Sequence, residues 1–117
     1  MFANDVKANR DALSEKIGGK SVLVIGGAGS IGSSFIRSIL LFDPAELVIV
    51  DTNENALTEL TRSLRSSDKL AKHVPEVYLP YPMDYSSVTF RRMFENHVRK
   101  GTDYHGFDIV EIGRAHV

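Results

Sequence analysis

Val22-Leu23-Val24-Ile25-Gly26-Gly27-Ala28-Gly29-Ser30-Ile31-Gly32 is the stretch that decides how this chain is read. Four apolar residues run into a turn with glycines at 26, 29 and 32, and a segment of helical spacing follows. An unbroken apolar run implies a strand buried on both faces, as in a parallel sheet covered by helices. A glycine turn that opens a helix presents unpaired N–H groups and a positive dipole end, which suits phosphate. Gly26 permits the tight turn, Gly29 lets a phosphate approach the backbone, and Gly32 lets the helix pack close to the strand.

The rest of the chain is placed by distance from that turn. The apolar spacing of Ile31, Phe35, Ile39 and Phe42 predicts a helix from about Ser30 to Leu41, ended by Asp43-Pro44. Leu47 to Asp51 is the second strand. A second helix runs from about Asn53 to Leu64, capped by Thr52 or Asn53, with Ala56, Leu57, Leu60 and Leu64 inward. Glu76 to Pro80 is a weaker third strand. Asp84-Tyr85-Ser86-Ser87 is a turn into a third helix that reaches about Lys100, with Val88, Phe94 and Val98 inward and Gly101 as its cap. Phe107 to Val110 begins a fourth strand. Strands alternating with helices predict an α/β fold with a doubly wound parallel sheet. Before it, residues 1–17 read as a helical arm capped by Asn4 or Asp5, with Phe2, Val6, Leu13 and Ile17 on one face and Gly18-Gly19 as its stop.

Composition bounds the function. The 117 residues are 43% hydrophobic and 25% charged, with a net charge of −1. That balance gives no reason to expect nucleic acid or an anionic membrane as partner. The chain has no cysteine, which excludes disulfides and thiolate metal sites. His73, His97, His105 and His116 lack metal-ligand spacing, so no metal site is expected. No stretch approaches a membrane span or a signal peptide, and a cytoplasmic location is the default expectation.

An acid supplies the second half of the site. Asp51 ends the second strand nineteen residues after Gly32, the position from which a carboxylate accepts the ribose hydroxyls of a dinucleotide. It would also repel a 2′-phosphate. Thr52, Asn53 and Glu54 offer no nearby cation, so NAD is favoured over NADP. Asp84 lies on the same edge of the sheet, where it either accepts from the adenine amino group or simply caps the third helix. Tyr85 would line the adenine pocket. The candidate cofactor contacts are therefore Gly26, Gly29, Ser30, Ile31, Gly32, Asp51, Asn53, Asp84 and Tyr85.

Gly26-Gly27-Ala28-Gly29-Ser30-Ile31-Gly32-Ser33 resembles the G-x-x-G-x-x-G motif of the extended short-chain dehydrogenases/reductases. Together with Asp43-Pro44-Ala45-Glu46-Leu47, and with Asp51, Glu54, Leu57 and Glu59, it is similar to their polysaccharide-biosynthesis branch, over about residues 5–110. That branch contains nucleotide-sugar 4,6-dehydratases and epimerases, typically acting on UDP-N-acetylglucosamine. The resemblance implies a Rossmann-type domain and a bound NAD or NADP. For an intact parent it implies a UDP-sugar substrate, a homo-oligomer, and transient oxidation at the sugar C4. In a dehydratase, water then leaves across C5–C6 before hydride returns to the sugar.

Two departures stand out. Ile25 occupies the position before the first glycine, where the family usually has threonine. The family's catalytic Y-x-x-x-K is absent, because Pro82, Tyr85, Thr89 and Asp108 stand four residues beyond Tyr78, Tyr81, Tyr85 and Tyr104. No catalytic residue is assigned. The tail Ile112-Gly113-Arg114-Ala115-His116-Val117 matches one reading frame of a common sequencing adapter. The expected organisation is an arm over 1–19, a partial Rossmann domain truncated after about four strands over 20–111, and a non-native tail over 112–117. On this reading the chain is the cofactor-binding portion of a dehydratase or epimerase and is inactive alone. The alternative is a non-catalytic dinucleotide-binding sensor or regulatory module.

Overall fold

β1 (Ser21–Ile25) is buried along its whole length and forms the axis of a computed structural model that describes residues 16–97 and 106–113. β2 (Glu46–Asp51) pairs parallel to it on one side, with Ile25 opposite Val50. β4 (Ile109–Ile112) pairs parallel on the other side, with Ile25 opposite Ile112. β3 (Val77–Pro82) lies outside β2, giving the order β3-β2-β1-β4. The chain winds outward from β1 to β3 and then crosses back to β4. The sheet therefore has a switch point between β1 and β4, where the expected doubly wound arrangement opens a crevice.

Helices cover both faces. α1 (Ser30–Leu40) and α2 (Glu54–Ser66) pack Ile36, Ile39, Leu40, Leu57, Leu60 and Leu64 against Val22, Val24, Leu47 and Ile49. α3 (Val88–Asn96) lies over the opposite face, where Phe90, Met93 and Phe94 meet Leu23, Ile25, Val48 and Val50. The alternation of residues 22, 24 and 23, 25 between the two clusters is the period-two geometry of a strand. The buried second-helix stripe is as expected at Leu57, Leu60 and Leu64, and Ile17 is buried ahead of a Gly18-Gly19 turn. The arm's cap at Asn4 or Asp5, Phe2, Val6 and Leu13 lie outside the described residues, as do Val98 and Gly101, but α3 already ends at Asn96, with an extended His97 as its C-cap, short of the expected Lys100.

Several expected details are corrected. Ile31 is 50% exposed rather than inward. Gly32 faces the β1 turn and sets the phase of α1, so the inner face runs through Ile36, Ile39 and Leu40, with Phe35 and Phe42 only partly buried. Val88 is 62% exposed because it is the first residue after the Ser87 cap; the packed face comprises Phe90, Met93 and Phe94. α2 extends to Ser66, beyond the expected Leu64. β3 continues to Pro82, two residues past the expected end, because an edge strand tolerates proline. β4 begins at Ile109 rather than Phe107, and Ile112 completes it.

The sheet edge away from the glycine turn is tied by polar groups. Glu46 is 2% exposed, and its Oε2 accepts from Ser21 Oγ at 2.8 Å and lies 2.7 Å from His97 Nε2. His97 stacks on Phe107 at 4.3 Å, and Asp108 Oδ2 accepts from Ser21 N at 2.9 Å. One cluster thus joins the starts of β1, β2 and β4 to the end of α3.

Candidate functional site

The glycine turn lies at the switch point, held by two strand-like backbone bonds. Gly26 N donates to Val50 O at 2.7 Å, and Gly113 N donates to Ile25 O at 2.7 Å. Gly26 has φ +74°, a left-handed conformation that disfavours any side chain. At Gly32 a Cβ would collide with Gly26 O and lie 2.7 Å from Gly27 Cα. Both positions need glycine for the turn itself.

Gly29 is different. It has φ −75°, and a Cβ there would meet nothing nearer than Gly26 O at 3.5 Å. The protein therefore has room for a side chain at 29. What glycine leaves is an open cradle at the N-cap of α1, where no side chain caps the helix. Gly29 N donates to Gly26 O at 3.2 Å, while the N–H groups of Ser30, Ile31 and Gly32 have no acceptor within their own helix. These donors and the positive end of the helix dipole favour an anion. Ser30 and Ile31 are exposed on this first turn.

Asp51 faces the turn from the end of β2. Its Oδ2 accepts from Ala28 N at 3.1 Å, and its Oδ1 accepts from Asn53 N at 2.9 Å. A cleft of about 410 Å³ opens between these elements. Gly26, Gly29, Asp51, Asp84 and Tyr85 line it, so the structure brings together five of the nine residues expected at the site. Asp84 Oδ1 accepts from Ser86 N at 2.9 Å, and Ser87 caps α3 by accepting from Phe90 N at 3.0 Å. Asp84 thus builds the turn that carries Tyr85, which is 45% exposed at the rim.

Asn53 has a structural task. Its side chain accepts from Ala56 N at 3.0 Å and caps α2. It does not line the cleft and acts on Asp51 through its backbone. The wall also includes Ile25, Val50, Thr52, Met83 and Gly113, none of which was expected there. Met83 is the residue between the end of β3 and the Asp84 turn. Its N–H donates to Asp51 O at 3.0 Å, which draws the end of β3 against the site.

A groove of about 420 Å³ runs between α2 and β3, lined in part by Pro80 and Pro82. Prolines offer it no N–H groups, so it lacks the donor array of the glycine cleft. Among the described residues no group of three His, Asp or Glu side chains is placed to hold a metal, and no helix is long and apolar enough to cross a membrane.

A parallel sheet with interleaved helices and a glycine turn at its switch point defines a Rossmann-like α/β protein. Residues 22–81 match the family described as polysaccharide biosynthesis protein, and the chain belongs to that family. It is 35% identical over 69 residues to the probable polysaccharide biosynthesis protein EpsC of Bacillus subtilis, covering 59% of this chain and 11% of that protein. Over 59 residues it is 30% identical to the capsular polysaccharide biosynthesis protein CapD of Staphylococcus aureus, covering 50% and 10%. An uncharacterised membrane protein of Methanocaldococcus jannaschii is 45% identical over 47 residues, covering 40% and 14%. The aligned regions thus span 14% or less of each relative's length.

Proposed function

We propose that this chain is the NAD(P)-binding portion of a nucleotide-sugar 4,6-dehydratase or epimerase of polysaccharide biosynthesis, with a UDP-sugar as substrate of the intact protein. The observation that carries the reading is the pairing of an uncapped helix N-terminus with the Asp51 carboxylate across one cleft. The residues present fit a dinucleotide. The cradle at Gly29, which a Cβ would fill, and the first turn of α1 hold the pyrophosphate. Asp51 accepts the adenosine ribose hydroxyls, and Met83, Asp84 and Tyr85 border the adenine. Membership in the polysaccharide biosynthesis family supports the sugar-nucleotide assignment.

When bound, the nicotinamide supplies reversible hydride transfer at a sugar carbon. This chain's residues bind and orient it; the tyrosine and lysine that would move protons do not occur in the sequence at Y-x-x-x-K spacing. Asp51 leaves negative charge where a 2′-phosphate would lie, which favours NAD.

The test is a titration of NAD and NADP against the wild-type chain and Asp51→Ala, each shown to be folded. NAD binding stronger than NADP binding, with that preference reduced in the variant, is the expected result. A folded wild type that binds neither nucleotide overturns the reading, and tighter NADP binding overturns the NAD preference.

A further inference from the structure

Both oxygens of the Asp51 carboxylate are engaged by the protein itself. Oδ2 holds the Ala28 N–H of the glycine turn, and Oδ1 holds the Asn53 N–H at the start of α2. An ionised carboxylate has about four acceptor sites, so roughly two remain for ribose hydroxyls. The bond to Ala28 spans from the end of β2 to the turn after β1. It joins the two halves of the cleft by a side chain, in addition to the Gly26–Val50 backbone bond.

From this geometry we infer that Asp51 is a positioning residue for the phosphate site as well as a ribose acceptor. By fixing the Ala28 N–H, it holds residues 26–29 in the conformation that opens the Gly29 cradle toward the first turn of α1. This inference rests on the dinucleotide reading and adds a second role to one of its residues. It also fixes the carboxylate. Tethered at both oxygens, it cannot swing away from an incoming 2′-phosphate without giving up the turn.

Inorganic pyrophosphate separates the two roles because it has no ribose. If Asp51 acts only as a ribose acceptor, it contributes nothing to pyrophosphate except repulsion. Neutral variants would then bind pyrophosphate equally well or more tightly. A latch predicts the opposite sign. Pyrophosphate is titrated into wild type, Asp51→Asn and Asp51→Ala, followed by backbone amide shifts of residues 26–32. Affinity should fall roughly threefold or more in Asp51→Asn despite the loss of a negative charge, because its single amide oxygen can accept from only one of the two N–H groups, without charge assistance, and its NH2 faces the other. A larger fall is expected in Asp51→Ala, which keeps no acceptor.

Hydrogen exchange at the Ala28 amide should quicken in both variants, and a thermal melt identifies any that fails to fold. The near-isosteric asparagine variant keeps the comparison valid if the alanine variant unfolds. Unchanged or tighter pyrophosphate binding in folded Asp51→Asn overturns the latch. If wild type still binds NAD in that case, the cofactor reading stands without it. A folded wild type that binds neither NAD nor pyrophosphate removes both.

Discussion

His97 Nε2 lies 2.7 Å from Glu46 Oε2 at the sheet edge opposite the glycine turn, with both side chains largely out of water. Burying a carboxylate is expensive unless it is well partnered, and here the partners come from β1 and from the residue that ends α3. His97 also stacks on Phe107, just ahead of β4. Replacing His97 with alanine removes the stacking and a bond to a buried acid. We expect a loss of roughly 2–4 kcal/mol, measured by urea unfolding. Because the site lies at the other edge, the affinity of the folded fraction for NAD should stay close to wild type.

Gly29 and Gly32 should respond oppositely to alanine. At Gly32 a Cβ meets backbone atoms of Gly26 and Gly27, which cannot move without breaking the turn. Gly32→Ala is expected to cost about 1–3 kcal/mol or more from overpacking. Gly29→Ala has space and an ordinary φ, so its stability should change by less than about 0.5 kcal/mol. On the proposed function, Gly29→Ala should nevertheless weaken NAD binding. Paired thermal melts and nucleotide titrations check both arms.

Asn53 is a cap before it is anything else. Asn53→Ala should destabilise by about 1 kcal/mol, while Asn53→Asp should be nearly neutral because aspartate caps equally well. Denaturant midpoints of the three proteins test this.

Tyr78 gives the fold an alkaline limit. Burial pushes its phenol above the ordinary value of 10.0, with the Thr61 hydrogen bond and the Arg65 charge acting in the opposite direction. The hydroxyl lies 2.8 Å from Thr61 Oγ1, and Arg65 sits over the ring at 5.5 Å. Above about pH 10 the unfolded phenol ionises while the folded one keeps its proton, so the native state binds more protons and stability falls as pH rises. Tyr78→Phe should remove this part of the alkaline loss, at a cost of about 1 kcal/mol at neutral pH from the lost bond. Stability profiles of both proteins between neutral and alkaline pH check it.

The fold was legible because its strongest signals are local. The apolar runs at 22–25 and 47–50 are too continuous for half-exposed strands, and the glycine triplet fixes the turn between β1 and α1. The errors arose where tertiary context decides. Ile31 shares the spacing of a buried stripe, yet Gly32 must face the β1 turn and rotates Ile31 outward. Val88 is apolar but first in its helix, where packing is least. In the site, Asp51 and the glycines were readable from their spacing. Met83 was not, since its place depends on how far β3 runs before turning. The Glu46–His97 bond joins residues fifty-one positions apart and has no local signature.

Pro80 and Pro82 make the sheet unequal at its two ends. β3 has β2 on one side, and strand N–H groups point alternately to the two sides. Among the described residues nothing pairs with the side of β3 away from β2, and two prolines a pair apart remove its N–H donors at positions 80 and 82, so an incoming strand finds a broken ladder there. Among the described residues, β4 is the other end of the order, with Val110 and Ile112 nearly half exposed and no proline in the strand. Strand addition, whether by more of the same polypeptide or by a stray neighbour, is therefore directed to one side. The same two residues that take two outward donors from the outer strand bias both growth and aggregation toward the β4 side.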